Sequence, residues 1–256
     1  MMKQEFSKER IVSLLQKSLE ADPRIHAAWL GGSTATGFED DLSDTDIVVV
    51  CEDPHIVFNA IENALPVIAS VSHVWKVEDS PWKNFAQKFY VFDEGPETYY
   101  IDAGVFQSTD PADYREYFNV ERHGQPVILF DRKGLLQEAA ASPRYEVVPS
   151  ADLKNFVARF EIMYRTFLKE SLRGKFIDSF LFYQRLVMMW VQLLRRKYTP
   201  QKHDFGLRYI YRDFPPEEAR LVEKYIQGPD LETLRAQARD VRRRVLELQK
   251  HEGWQE

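Results

Sequence analysis

The chain has 256 residues, 44% of them hydrophobic and 29% charged, enough apolar material to bury a core in one large or two ordinary domains. A net charge of −6 weighs against a nucleic-acid partner, because phosphate backbones are normally met with a basic surface. The single cysteine, Cys51, excludes an intrachain disulfide. With no apolar signal core at the N-terminus and no run near the roughly 20 apolar residues of a membrane span, a cytoplasmic protein with no membrane partner is expected.

Taken in chain order, Phe6 to Glu20 reads as a helix with Ser7 as N-cap and an apolar stripe of Ile11, Leu14, Leu15 and Leu19. Ile25 to Leu30 is a buried strand by composition. Gly31-Gly32-Ser33 breaks it without side-chain bulk, and Ser33 is placed to cap a short helix through Thr34 and Ala35. Glycines ahead of a helix start leave backbone N–H groups free to meet a phosphate chain. Asp44 and Asp46 then open a strand whose body is Ile47 to Val50. Residues two apart on a strand share a face, and two carboxylates on one face repel unless a cation lies between them. Mg²⁺ is the hard, oxygen-seeking ion that suits such a pair and brings substrate phosphates with it.

Pro54 to Leu65 reads as a second helix and Val67 to Val77 as a strand. Phe85 to Phe92 and Thr98 to Gln107 pair as a hairpin across Asp93 to Glu97. Asp102 sits in the second arm, on the face of Tyr100 and Gly104, with Gly104 leaving space beside it. A lone carboxylate there is costly without a partner. Three acids and a phosphate cradle describe two-metal phosphoryl chemistry. Asp102 is also the first choice for the base that takes an acceptor's hydroxyl proton, ahead of Glu94 and Glu97 in the adjacent turn. Pro126 to Phe130 is a last short strand before another helix, so an α+β layer is expected.

The combination of Gly32-Ser33, a ten-residue gap and Asp44-Thr45-Asp46-Ile47 resembles the DNA polymerase β-like nucleotidyltransferase superfamily. Within it, the chain looks like the small enzymes that modify aminoglycosides or lincosamides. The match covers roughly residues 25–106. The resemblance implies that Gly32 and Ser33 hold a nucleoside triphosphate and that Asp44, Asp46 and Asp102 bind two Mg²⁺ ions. Thr45 departs from the hydrophobic residue common at that place, but its side chain belongs to the face away from the acids.

Ser142-Pro143 and Pro149-Ser150 bracket a linker, after which the chain turns helical. Helices are expected over Ala151 to Leu172, Phe176 to Tyr198, from Pro216 onward, and over Asp230 to His251, their aromatics forming the core of a bundle. The domains expected are therefore 1–145, the catalytic unit with its mixed sheet, and 150–256, a helical bundle contributing to the acceptor cleft. Arg173 and Lys175, flanking Gly174 at a helix break, are candidates for the basic charge that a triphosphate calls for, by loose analogy with the family. Arg195-Arg196-Lys197 and Arg242-Arg243-Arg244 read as solvated faces.

The reaction expected is transfer of a nucleoside monophosphate, AMP from ATP in the first instance, onto a hydroxyl of a small molecule, with loss of pyrophosphate. An aminoglycoside or lincosamide antibiotic is the acceptor that the resemblance implies. Two alternatives stay open: an enzyme of the antitoxin type that adenylylates a protein, and a nucleotide sensor that keeps the fold without catalysis.

Overall fold

The computed structural model describes residues 6–80, 82–141 and 153–250. The chain divides into two compact units, residues 1–145 and 146–256.

The first unit opens with α1 (Lys8–Glu20), capped by the Ser7 side chain, which accepts from the Arg10 N–H. Its Ile11, Leu15 and Leu19 are fully buried while Leu14 lies at the edge of the stripe. β1 (Ala27–Leu30) leads into α2 (Gly32–Thr36) and then β2 (Thr45–Val50). α3 (Pro54–Ala64) starts on Pro54, whose missing N–H costs nothing in a first helical turn, and Asp53 caps it through the His55 N–H.

The strand expected over Val67 to Val77 is shorter than that, β3 (Val71–Lys76). Leu65–Val67 instead winds as a 3-10 turn around Pro66, which suits a helical first turn and has no N–H to give a ladder. β4 (Phe85–Phe92) and β5 (Tyr100–Phe106) form the hairpin. The sequence pattern assigns no element to residues 108–125. It contains two 3-10 turns, Pro111–Asp113 and Arg115–Phe118, followed by α4 (Val120–His123). β6 (Val127–Asp131) and α5 (Leu135–Ala141) complete the described part of the unit, with the Asp131 carboxylate accepting from the Leu135 and Leu136 N–H groups.

The six strands form one mixed sheet in the order β3-β4-β5-β2-β1-β6. β2 and β5 run parallel and the other neighbours are antiparallel. This is the α+β architecture expected. One face, carrying Leu30, Ile47, Val49, Ile101, Ala103 and Val105, packs with the apolar stripes of α1 and α3. Alternation sends Trp29, Val48, Val50 and Phe106 to the other face, where Tyr114, Phe118 and Leu136 join them. Trp29 and Phe106 stack at 6.3 Å and 13°, and Tyr114 closes on Phe106 at 5.4 Å. The unassigned stretch thus roofs the second face, at about 2 kcal/mol for each large side chain removed from water. Cys51 ends β2 as a buried packing residue.

The linker expected between Ser142 and Ser150 lies outside the described residues. In the second unit, α6 (Leu153–Leu172), α7 (Phe176–Tyr198), the short α8 (Ile210–Asp213), α9 (Pro216–Tyr225) and α10 (Leu231–Gln249) enclose one core. Phe160, Phe167, Tyr183 and Trp190 are buried there, so these aromatics are core, as their helical spacing predicted. The Tyr183 hydroxyl donates to the Tyr225 carbonyl at 2.6 Å, which removes the penalty of burying it.

The basic run at Arg195 is a solvated face only in part: Lys197 is exposed and Arg196 half-buried, but Arg195 is not solvated. Arg195 is fully buried, with Nη1 2.6 Å from Asp213 and Nε donating to the Gly206 carbonyl. Lys202 and Arg212 meet the same carboxylate at 2.9 and 3.3 Å. The turn-rich stretch after α7 folds back over the helix end, so a cation suited to the helix dipole is also captured by tertiary structure. The Arg242 run is partly exposed, and its members pair with Glu161, Asp240 and Glu247. Among the described residues no helix is long and apolar enough to cross a membrane.

Candidate active site

The parallel pairing of β2 with β5 sets the site. Asp46 and Asp102 are direct register partners, so their side chains leave the same face of the sheet side by side. That face is the one roofed by Tyr114 and Phe118 further along the strands, where Val48, Val50 and Phe106 replace the acids. The acids stand at the opening ends of both strands, where the roof stops and both are half-exposed. Asp44 lies one residue before β2 and shares the alternation with Asp46.

On the other side of Asp46 lies the glycine turn. The Gly31 N–H donates to the Asp46 carbonyl at 3.0 Å. Gly32 has φ +55, and a Cβ built on it falls 1.7 Å from Asp46 Oδ2. Only glycine fits there, because the position needs both a left-handed backbone and room for the carboxylate. α2 begins at this residue with Gly31 as its N-cap.

The structure therefore corrects the capping expected of Ser33. Ser33 is inside the first turn of α2 and makes no cap bond. The physical reason is that the chain turns at the left-handed Gly32, so the helix starts two residues earlier than a Ser33 cap would start it. The consequence is informative: Ser33 Oγ is enclosed and has no hydrogen-bond partner. A buried hydroxyl without a partner is costly, and it lies one residue from the carboxylate-facing glycine. α2 is pinned from behind by Gln125, whose N–H donates to the Ala35 carbonyl at 2.7 Å. Gly124 permits that approach, since a Cβ there would fall 2.3 Å from the same carbonyl oxygen.

Electrostatics tie the three acids together. Burial pushes the Asp102 carboxyl up to about 6; the hydrogen bond from Gln87 opposes this and the charge of Asp44 adds to it. Gln87 Nε2 donates to Asp102 Oδ1 at 2.7 Å. The Tyr100 phenol is pushed above its ordinary range, first by its hydrogen bond to Asp44, then by burial, then by the charges of Asp44, Asp46 and Asp102. Tyr100 is thus a group that all three carboxylates act on. Gly104 does not leave open space beside Asp102, as expected from the sequence. The Phe85 ring fills it, and a Cβ on Gly104 would fall 2.4 Å from Phe85 Cζ. Thr45 points to the opposite face, where its hydroxyl lies 2.6 Å from the Tyr99 hydroxyl in a buried pair.

Gln87 and Tyr100 were not singled out by sequence. Their signal is alternation: Phe85, Gln87 and Phe89 share one face of β4, and the register sets Gln87 opposite Gly104, from where its amide reaches the neighbouring Asp102 diagonally. Arg173 and Lys175 belong to the second unit. Arg173 Nη1 is 2.8 Å from Glu170 Oε1 and Lys175 Nζ is 3.5 Å from Glu170 Oε2, so both cations are paired with one largely buried carboxylate. Lys175 stands at the N-cap position of α7 without a side-chain cap bond, and Gly174 makes the break with φ +73.

The donor set suits a hard divalent cation. Among the described residues, no three His, Cys, Asp or Glu side chains close on one point as a finished cage. Mg²⁺ needs none, because it is ordinarily held by one or two carboxylates with substrate phosphates and waters completing its shell. Partly exposed carboxylates beside a glycine turn with an unpartnered hydroxyl match that habit.

No family model matches the chain, and no curated protein matches it. Solved structures similar to it include an aminoglycoside 6-adenyltransferase from Bacillus subtilis, at 14% identity and TM-score 0.35, covering 98% of this chain and 95% of that one. A spectinomycin adenyltransferase from Enterococcus faecialis, solved with ATP and spectinomycin, is 12% identical at TM-score 0.34, over 94% of this chain and all of that one. A nucleotidyltransferase-like protein from Exiguobacterium sibiricum is 11% identical at TM-score 0.42, over 94% of this chain and 74% of that one. Likeness of this size leaves the chemistry to the residues themselves.

Proposed function

We propose that the chain is a nucleotidyltransferase that moves a nucleoside monophosphate from a nucleoside triphosphate, ATP in the first instance, to a hydroxyl of a small molecule. The observation that carries this reading is the side-by-side placement of Asp46 and Asp102 next to a glycine turn that only glycine can occupy. Adenyltransferases that act on aminoglycosides and spectinomycin have the names that the similar structures carry, and an antibiotic of the aminoglycoside or lincosamide type is the acceptor we propose.

In this reading Gly32 and Ser33 receive the leaving phosphates. The Ser33 hydroxyl gains the partner it lacks, and the N–H groups of the first turn of α2 meet negative charge. Asp44 and Asp46, with Asp102, would hold Mg²⁺, which supplies neutralising charge on the phosphates. The acceptor oxygen attacks the α-phosphorus, a new O–P bond forms, the bond to the β-phosphate oxygen breaks, and pyrophosphate leaves with that electron pair. The acceptor's hydroxyl proton passes to Asp102, a carboxyl that its burial raises above the ordinary range. Gln87 holds that carboxylate in one orientation by donating to Oδ1. Residues 1–145 carry all of these groups, and we propose them as the catalytic domain.

The test is direct. Protein, Mg²⁺, α-labelled ATP, GTP, CTP or UTP, and a panel of aminoglycosides and lincosamides are incubated and the small molecules separated. Label on an acceptor is expected. Absence of label with every nucleotide and acceptor overturns the reading, and label on a protein band in lysate instead moves the acceptor to a macromolecule.

A further inference from the structure

The strand register draws a row straight across the sheet. Gly31 meets Asp46 through its N–H, Asp46 is registered with Asp102, Asp102 with Phe89, and Phe89 with Trp75. All of these side chains leave one face. At about 4.8 Å per strand, Trp75 lies roughly 14 Å from Asp46. The row therefore has the phosphate turn at one end, the acids in the middle and an aromatic pair at the other.

The aromatic end is built but uncovered. Trp75 and Phe89 stack at 4.9 Å and 17°, and Phe89 meets Tyr100 at 6.0 Å. Trp75 is 63% exposed although it is the largest side chain on that strand, and Tyr100 and Val91 on the same face are exposed as well. His73 and Gln87 place polar groups around this surface. Exposed tryptophan is uncommon where no ligand or partner uses it.

We infer that Trp75, Phe89 and Tyr100 form the acceptor subsite, and that its occupant is a saturated, polyhydroxylated ring. This rests on the transferase reading above. In-line displacement puts the attacking oxygen opposite the leaving one. With the leaving phosphates at Gly32 and Ser33, on the β1 side of the acids, the attacking oxygen arrives from the β5 side. The surface beyond β5 on that face is β4 and β3, which is the aromatic pair. A flat apolar surface with polar groups at its rim fits a ring that has a C–H face and hydroxyls around its edge. The subsite then selects ring shape, and Asp102 sits between it and the phosphate.

The experiment measures acceptor binding and turnover separately, in wild type, Trp75→Ala and Trp75→Phe. Kanamycin and lincomycin are titrated by calorimetry without nucleotide, and steady-state kinetics are run for any acceptor that is modified. Binding by wild type, about tenfold weaker in Trp75→Ala and within about threefold of wild type in Trp75→Phe, is expected. The acceptor KM should rise in parallel while the nucleotide KM stays within about twofold. Trp75 is exposed, so melting temperatures should coincide. Unchanged acceptor affinity in Trp75→Ala overturns the inference, as does a shift that falls on the nucleotide KM, or no binding of either compound by wild type. Transfer that ignores Trp75 sinks the subsite and spares the transferase. Trp75-dependent binding without any transfer does the reverse.

Discussion

A Cβ placed on Gly32 would lie 1.7 Å from Asp46 Oδ2, so the glycine turn and the central acid fit only because one of them has no side chain. The Gly32→Ala variant is therefore expected to lose about 1–3 kcal/mol of stability to the left-handed backbone at φ +55 and, separately, to push Asp46 aside. A displacement of about 1 Å costs on the order of a hundredfold in turnover. Gly37→Ala is the control. It has φ +72 with nothing within 4 Å of its Cβ, and should lose comparable stability while keeping its activity. Urea melts beside initial rates separate the two effects.

Asp102 gives a pH-dependent signature in metal-free protein. Its folded pKa of about 6, raised first by burial, exceeds the ordinary 3.8. Between those values the folded state holds a proton that the unfolded chain has already released. Stability therefore falls as pH rises through that window, by on the order of 2–3 kcal/mol in total. Asp102→Asn cannot ionise. With EDTA present it should be more stable than wild type at pH 7.5 and lose that advantage near pH 4. An advantage that persists at low pH would mean that ionisation of Asp102 is not the cause.

Gln87 favours the ionised form of Asp102 by donating to it at 2.7 Å. Removing that donor raises the carboxyl further. Gln87→Leu should move the acid limb of the kcat profile to higher pH, with the plateau reduced far less than in Asp102→Asn. A pH profile that does not move would show that the hydrogen bond leaves the titration of Asp102 unaffected.

On the opposite face, Thr45 and Tyr99 share a buried hydrogen bond of 2.6 Å. Tyr99→Phe strands the Thr45 hydroxyl and Thr45→Val strands the phenol, each at about 1–2 kcal/mol. The double variant removes both groups and should cost less than the sum. Denaturant melts of the four proteins give the coupling directly.

Much of this arrangement was legible in the sequence because it is local. The Gly-Gly-Ser break, the two acids two residues apart and the long amphipathic helices all follow from spacing within a few residues. The pairing of Asp46 with Asp102 spans 56 positions, and only their shared residue type hinted at it. Gln87 and Phe89 were invisible as site residues because a strand's facing partner depends on register, which a single strand does not encode. The 108–125 stretch has no legible element because its 3-10 turns have no long period; it is held by Tyr114 and Phe118 against Trp29 and Phe106. Arg195 looked solvated because a charge run late on a helix ordinarily is, and its burial comes from Asp213, 18 residues on.

In the function proposed, the carboxylates at the openings of β2 and β5 carry phosphoryl transfer. Asp46→Asn keeps the shape of the side chain and removes its charge, and relieving repulsion within the acid set should leave metal-free stability equal or slightly higher. The decisive measurement is pyrophosphate release with Mg²⁺, nucleoside triphosphate and a modified acceptor, wild type against Asp46→Asn, at matched folded fraction. Release by wild type is expected, with a loss of about a thousandfold or more in the variant, a barrier increase of about 4 kcal/mol. Release by the variant within about tenfold of wild type would contradict it.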